Sequence, residues 1–228
     1  MWSQFLSFLA LTAILSQVVA EQLCLEIRRD ERKNSLSEKF KSELESYSTI
    51  ITLKASGSTR VTDQNLIWLA EKGYAEMYDI LLVNKGYKGM TDKNEFRGSM
   101  TVLAPQGRNE IFLASSVKGG DIEELISESG VGDHLSECGH RTNGRCGELN
   151  VLQLYHDHSK GCDPKGSRIA VWGTGGHGPP KLLPPCSEGG NGCKKLVGKF
   201  DLKAITRIET HEPAGWKMTA ENLRNKPS

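Results

Sequence analysis

The chain has 228 residues, of which 37% are hydrophobic and 7% aromatic, which allows a real but modest core. The length suits one elaborated domain, or one domain with a smaller extension. Lys and Arg total 29 against 28 for Asp and Glu, so the overall charge gives no argument for nucleic acid or a membrane surface as a partner.

The first twenty residues have the pattern of a secretory signal. They contain no charged side chain, and an apolar run extends from Phe5 to Val19. The small residues that end at Ala20, just before Glu21, are typical of a signal-peptidase site. We therefore expect residues 1–20 to be a signal peptide and the protein to be secreted. The apolar run is short for a membrane span and no second candidate follows, so we expect no span after cleavage.

Residues 21–98 are predicted to form a mainly helical N-terminal region. Ser35 and Glu38 form a capping-box pattern, and apolar residues at helical spacing follow as far as Tyr47. Thr49–Leu53 is a short β-prone run. This region either covers one face of a sheet or provides a surface that selects a substrate or partner.

A longer helix is predicted to begin at Thr62 and Asp63, which can cap its first turn. Its buried face would consist of Leu66, Leu69, Gly73, Met77, Ile80 and Leu81. Gly73 is either a weak point of this helix or a point of tight packing. The polar, glycine-containing stretch Gly86–Gly98 is the predicted boundary with the next region.

Residues 99–210 are predicted to form an α/β domain, followed by a tail at 211–228. Met100–Ala104 and Glu110–Val117 are typical of two strands joined by a turn at Pro105–Asn109. Further predicted elements are a capped helix at Asp121–Ile126, a helix from about Cys146, a third strand at Ser167–Trp172, a cysteine-bearing segment at Pro185–Val197 and a fourth strand at Phe200–Ile205.

The motif with the most chemistry is Cys146-Gly147-Glu148, followed later by Cys186 and Cys193. Apolar residues at helical spacing follow the motif, which puts Cys146 and Glu148 in the first helical turn. There the helix dipole favours a thiolate. Side chains two positions apart point in nearly opposite directions within a helix, so both can act at one site only if Cys146 is at the very start.

Three thiolates and one unligated carboxylate are what a zinc-dependent hydrolytic deaminase requires. Zinc held by Cys146, Cys186 and Cys193 keeps a fourth position open for the water that attacks an amino-bearing ring carbon. Glu148 would take a proton from this water and pass it to the ring nitrogen and to the leaving ammonia.

With this motif and order of elements, Met100–Ile208 resembles the cytidine-deaminase-like superfamily. It looks closest to the toxin-type deaminases of the YwqJ-like and related groups in bacteria and fungi. The resemblance implies a three-layer α/β fold with a mixed central sheet, here with an N-terminal helical extension. It also implies a nucleobase, nucleoside, nucleotide or single-stranded nucleic acid as substrate, and a role as a toxin or effector. No feature identifies an immunity or target protein.

The resemblance extends to the substrate pocket. Backbone amides near Gly147 and Cys186 would bind the base. Trp172 and His177 are further candidates for substrate contact, with a core tryptophan and a solvated loop histidine as the alternatives. The family usually has two residues between its second and third metal cysteines, whereas Ser187–Gly192 intervene here. A glycine-rich loop of this length can close back on one ion.

Secretion would place all six cysteines in an oxidising compartment, where disulfides are the usual outcome. Cys24, Cys138 and Cys162 are expected to form disulfides. Because three is an odd number, either one of them stays unpaired or the set of metal ligands differs by one cysteine. Under the alternative hypothesis, Cys186 and Cys193 also form a disulfide. The protein is then a non-enzymatic, disulfide-stabilised effector or binding protein.

Two further groups of residues each have two interpretations. His156 and His158 form either a metal cluster, which would suit a secreted nuclease, or a helix end that favours basic residues. A set of basic residues near the fourth strand is either a solvated face or a contact for phosphates. That set consists of Lys194, Lys195, Lys199, Lys203 and Arg207.

Overall fold

A computed structural model describes residues 25–29, 46–53, 61–85, 98–117, 131, 145–175, 178–185, 192–207 and 223–225. The described strands are β1 (Arg28–Arg29), β2 (Tyr47–Leu53), β3 (Ser99–Ala104), β4 (Glu110–Ser115), β5 (Arg168–Gly173), β6 (Lys181–Leu183), β7 (Lys203–Ile205) and β8 (Leu223–Asn225). The described helices are α1 (Asp63–Lys85), α2 (Gly147–Ser159) and α3 (Cys193–Lys199). The predicted signal peptide, the capping-box residues and the helix at 121–126 lie outside these ranges.

The eight described strands form one mixed sheet in the order β1-β2-β4-β3-β5-β6. Strand β8 pairs with β2, and β7 pairs with β5. Among these strands, β5 and β7 are the pair that runs parallel, with Ile169 opposite Ala204. The prediction of an α/β protein with a mixed sheet is confirmed.

The helices cover both faces of the sheet, so the described elements form three layers. On one face, α1 packs against β3 and β5. Leu66, Met77 and Met100 are among the buried residues of the core on this side. On the other face, α2 packs against β3 and β4. There Leu152 of α2 and Leu196 of α3 share a second core with Phe112.

Strands β3 and β4 form the predicted hairpin. This hairpin lies in the middle of the sheet. Five of the six residues in each strand are buried. Helices on both faces explain why these strands are apolar runs without a polar alternation. The predicted third strand is also confirmed as β5.

The N-terminal segment adds a strand to this sheet. Strand β2 pairs antiparallel with β4, with Ile51 opposite Ile111. The β-prone run at Thr49–Leu53 is therefore confirmed, but the helical position predicted for Tyr47 is wrong. Tyr47 is the first residue of β2, and its backbone N–H donates to Ser115 Oγ at 2.8 Å. Pairing with β4 outweighs the local helical spacing. The boundary near residue 98 stays a prediction.

Helix α1 confirms the predicted long helix. The hydroxyl of Thr62 accepts a hydrogen bond from the backbone N–H of Asn65, which caps its first turn. A Cβ at Gly73 would lie 3.0 Å from both Leu113 Cδ2 and Met100 Cγ, so this glycine is a point of tight packing. None of the helices in the described part of the chain is long and apolar enough to cross a membrane.

The predicted fourth strand is too long at its start. Strand β7 begins at Lys203, whereas Phe200 is the C-terminal cap of α3. The backbone N–H of Leu202 donates to the carbonyl of Val197 at 2.9 Å, which closes this helix end. Strands β1, β6 and β8 were not predicted, because two or three residues carry no readable periodicity.

A glycine in β5 and one in α3 test how closely neighbouring strands pack within the sheet. A Cβ at Gly173 would lie 2.7 Å from Ser99 Cα in the neighbouring strand, whereas a Cβ at Gly198 of α3 would meet no atom within 4 Å. We expect Gly173→Ala to lower the free energy of unfolding by about 1–3 kcal/mol through overpacking. Gly198→Ala, the matched control, should raise it by about 0.5–1 kcal/mol through helix propensity. Urea unfolding measures both, and equal stabilities would contradict the packing at Gly173.

The carboxylate of Glu76 links α1 to the N-terminal segment, accepting hydrogen bonds from the backbone N–H groups of Leu25 and Ile27 at 2.6 and 3.4 Å. Burial raises the pKa of Glu76 above its ordinary value of 4.5, against the lowering effect of these two hydrogen bonds. The carboxylates of Asp79 and Glu26 raise this pKa further.

The folded chain therefore keeps the Glu76 proton to a higher pH than the unfolded chain. Stability from this group is fully present below pH 4.5 and is lost as pH rises through the higher, folded pKa. Glu76→Gln removes this titration but keeps an oxygen acceptor. We expect the stability of the variant relative to the parent to increase from pH 4 upward, as measured by unfolding at a series of pH values. A constant difference would contradict this.

Candidate metal centre

The starts of α2 and α3 bring together three side chains that can bind a metal ion. They are Cys146, Glu148 and Cys193, whose sulfur and carboxylate oxygen atoms all lie within 4.8 Å of one another. Cys193 is fully buried, Glu148 is 5% exposed and Cys146 is partly exposed. This group can hold a metal ion and keeps one partly accessible side.

The local backbone explains how side chains two positions apart converge. Cys146 is the N-terminal cap of α2, with an extended conformation at φ −70° and ψ 146°. Glu148 belongs to the first helical turn. Because Cys146 stands before the helix proper, the angular spacing of helical side chains does not separate the two. The predicted placement at a helix start is confirmed, and the positive end of the helix dipole favours negative charge there.

Asn150 fixes the start of α2 and was not found from the sequence. Its side-chain amide donates to the carbonyl oxygens of Cys146 and Ser115, both at 3.1 Å. The backbone N–H of Val117 also donates to the carbonyl of Arg145 at 3.0 Å. These bonds attach the residues before α2 to the end of β4. The available signal was a polar residue within the apolar stretch of the helix.

Gly147 lies directly on the sheet. A Cβ at this position would overlap the hydroxyl of Thr101 in β3 and lie 3.3 Å from the carbonyl oxygen of Ala114 in β4. The glycine of the Cys-Gly-Glu motif therefore allows the start of the helix to approach two strands. The Thr101 hydroxyl is fully buried and has no hydrogen-bond partner among the described residues.

The donor set suits a cation in type and in spacing. Two sulfur atoms bound at about 2.3 Å to one tetrahedral zinc ion are about 3.8 Å apart. The three donor atoms here lie within 4.8 Å of one another, which is compatible with this separation. Buried negative groups are normally paired or bind metals. The same limit allows Glu148 either to bind the ion directly or to act beside it.

The other predicted site residues are not among the donor atoms of the candidate metal centre. Cys186 and His177 lie outside the described residues. Gly147 packs against the sheet, while its predicted backbone contact with a substrate stays a prediction. Trp172 packs against the core under α1, on the sheet face opposite α2. The structure does not bring it to the metal centre, and it has the core role that was its alternative.

The histidines lie at the other end of α2. His156 and His158 are in its last turn, about 15–18 Å along the helix from Cys146. His158 Nε2 lies 2.9 Å from Glu110 Oε1, and its ring contacts Phe112 edge-on. This arrangement agrees with the helix-end interpretation, and the nuclease hypothesis stays a prediction.

The basic residues do not form one strand face. Lys194, Lys195 and Lys199 belong to α3, whereas Lys203 belongs to β7. Lys194, Lys195 and Lys203 are all exposed. Their role as a solvated face or a phosphate contact stays open.

Two cavities lie away from the metal centre. One of about 750 Å³ adjoins the β3–β4 turn and is lined by Arg108, Arg168 and Lys203 among others. The other, of about 360 Å³, adjoins the end of α2 and is lined by Tyr155 and Cys162 among others. Neither includes Cys146, Glu148 or Cys193.

Three cysteines lie within the described ranges, and none of them is in a disulfide: Cys146, Cys162 and Cys193. Cys162 is exposed and lies beyond the end of α2. Cys24 and Cys138 lie outside the described residues, so their predicted disulfide role stays a prediction.

Comparison of the chain with protein-family models, with curated proteins and with solved structures finds no match.

The contact between Gly147 and Thr101 can be tested by paired substitutions. We expect Gly147→Ala to lower the free energy of unfolding by about 1–3 kcal/mol, because the added methyl overlaps the Thr101 hydroxyl. The displaced helix start should also reduce the metal content of the purified protein. Adding Thr101→Ala should recover part of both losses, since it removes the overlapping atom.

Thr101→Val is the matched control, since it replaces the hydroxyl by a methyl of similar size and should not rescue Gly147→Ala. Unfolding by denaturant and metal analysis measure the coupling, with Gly147→Ala, each Thr101 variant alone and each combination compared with the parent. Equal rescue by alanine and valine would contradict the proposed contact.

Proposed function

We propose that the protein is a zinc-dependent hydrolytic deaminase with a cytidine-deaminase-like fold. It would replace the exocyclic amino group of a nucleobase by oxygen, in a base, nucleoside, nucleotide or single-stranded nucleic acid. The observation that carries this proposal is the convergence of Cys146, Glu148 and Cys193 within 4.8 Å at the starts of two helices. The arrangement supplies metal-binding thiols and a carboxylate at one place.

The donor types favour zinc. Soft thiolate ligands select zinc among the common divalent ions, and three protein ligands leave one position for a water molecule or substrate. Cys146 and Cys193 would hold the ion together with Cys186, the third ligand expected from the sequence. When bound, zinc would supply the Lewis acid that lowers the pKa of a water molecule toward neutrality.

Glu148 would carry the proton transfers. Its carboxylate oxygen takes a proton from the attacking water and delivers it to the ring nitrogen, and a second transfer protonates the leaving amine. A carbon–oxygen bond forms and a carbon–nitrogen bond breaks, so ammonia leaves and nothing is oxidised or reduced. The low exposure of Glu148, 5%, suits a base that acts with water largely excluded.

The position of the group in the fold supports the same proposal. Strands β3, β4, β5 and β7, with α2 and α3, follow the order that the deaminase resemblance implies. Gly147 packs on Thr101, which is opposite Val171 in the second half of β5. The start of α2 therefore lies near the carboxyl-terminal half of that strand. Open α/β sheets commonly bind ligands beyond the carboxyl ends of their strands.

The biological setting of the proposal comes from the N-terminus and the resemblance. The uncharged, apolar residues 1–20 support secretion. Likeness to toxin-type deaminases supports a role as a toxin or effector that acts on another cell.

Metal analysis combined with a deamination assay tests the proposal. The purified mature protein should contain about one zinc per chain, and Cys146→Ser and Cys193→Ser should each lose it. Glu148→Gln should keep the metal and lower the rate of ammonia release by about 10²–10⁴-fold. The substrates are a panel of nucleosides, nucleotides and single-stranded oligonucleotides, with mass spectrometry to detect replacement of an amino group by oxygen.

Two results would overturn parts of this proposal. Loss of zinc in Glu148→Gln would make Glu148 a ligand instead of the base. Unchanged activity in a metal-loaded Glu148→Gln variant would remove it from the mechanism.

The second candidate function is a non-enzymatic, disulfide-stabilised effector or binding protein. The observation that favours it is again the closeness of the Cys146 and Cys193 thiols. In the oxidising compartment expected for a secreted protein, two-electron oxidation of these thiols, with a shift of the side chains to about 2.05 Å between sulfurs, would form a disulfide. Purified protein without metal, and with a disulfide-linked peptide containing both cysteines, would support it over the enzyme.

A further inference from the structure

We propose that Asn150 is a positioning residue, which sets the geometry of Cys146 for metal binding. This inference rests on the proposed function only in assuming that Cys146 binds the metal. Asn150 is 1% exposed and is the fourth residue of α2. Its side chain contacts the backbone of the proposed ligand and does not belong to the group of candidate donors.

The side-chain amide of Asn150 donates to two acceptors in two different chain segments, one buried and one part-buried. One acceptor is the carbonyl of Cys146, and the other is the carbonyl of Ser115 at the end of β4, each at 3.1 Å from Nδ2. The backbone N–H of Asn150 donates to the same Cys146 carbonyl at 3.2 Å. The amide therefore connects the cap of α2 to the sheet.

This connection limits the rotation of the cap residue. Rotation of the Cys146 peptide would redirect its sulfur, but it would also take the carbonyl acceptor away from the buried Asn150 amide. A buried polar group left without a partner costs about 1–3 kcal/mol. Asn150 is thus the described side chain that holds the Cys146 backbone in place.

The chemistry of the two contacts specifies asparagine. Two carbonyl oxygens require two donors on one short side chain, which the asparagine amide provides. Aspartate would turn carboxylate oxygens toward both carbonyls and add a negative charge near Glu148. Serine would offer one donor and so satisfy only one carbonyl.

Cobalt(II) as a probe separates positioning from general stability. Bound in place of zinc, it gives absorption bands from thiolate-to-cobalt charge transfer that report the number and geometry of its sulfur ligands. We expect Asn150→Asp to weaken metal affinity by about 10–100-fold, the usual effect of residues that orient metal ligands. The intensity or position of the charge-transfer bands should also change.

Asn65→Ala is the matched control. Asn65 accepts hydrogen bonds from Thr62 through its side chain at the start of α1, on the opposite face of the sheet. This substitution also removes side-chain hydrogen bonds at a helix start. It should lower the free energy of unfolding, while the cobalt spectrum and affinity stay those of the parent.

The outcomes distinguish the proposals. Asn150→Asp with parental cobalt affinity and spectrum would overturn the positioning role, even if the protein deaminates its substrates. A parent protein that binds cobalt through thiolates but deaminates nothing in the panel would overturn the proposed function and leave the positioning role intact. If Asn150→Asp does not fold, Asn150→Ser decides, with intermediate weakening expected and unchanged affinity contradicting the role.

Discussion

The parallel pairing of β5 with β7 is the constraint on which the candidate metal centre depends. Parallel neighbours cannot be joined by a tight turn, so the chain must cross over one face of the sheet. Helix α3 is the last part of that crossover, and Leu196 and Val197 bury it in the same core as α2. Cys193, the first residue of α3, thereby reaches Cys146 and Glu148 at the start of α2.

Close packing of α2 on the sheet is the second requirement. Because Gly147 has no side chain of its own, the start of the helix can lie directly against Thr101 of β3 and Ala114 of β4. Asn150 then attaches the cap residue to the end of β4 through two hydrogen bonds. The motif is therefore more than a set of donors, because its glycine and the asparagine that follows it determine where the donors lie.

The sequence predicted the long elements well and the short ones poorly. Helices α1 and α2 and strands β3, β4 and β5 have enough residues for their apolar pattern to be read. Strands β1, β6 and β8 do not, since two or three residues form a strand only when a neighbour supplies the hydrogen bonds. The helical position predicted for Tyr47 was wrong for a similar reason, because its pairing with Arg29 and its hydrogen bond to Ser115 join residues that are distant in the sequence.

In the candidate site too, local features could be predicted from the sequence, whereas contacts between distant segments could not all be. The sequence alone determined that Cys146 and Glu148 stand at the start of a helix, since capping and helical periodicity act over a few residues. The sequence also proposed Cys193 as a ligand beside them, with a disulfide as its alternative, and the tertiary structure brings its sulfur within 4.8 Å of theirs. Only the tertiary structure decided that Trp172 packs on the opposite face and that Asn150 bonds to the Cys146 carbonyl. These relations depend on how the layers stack and cross over, and spacing along the chain carries no record of that.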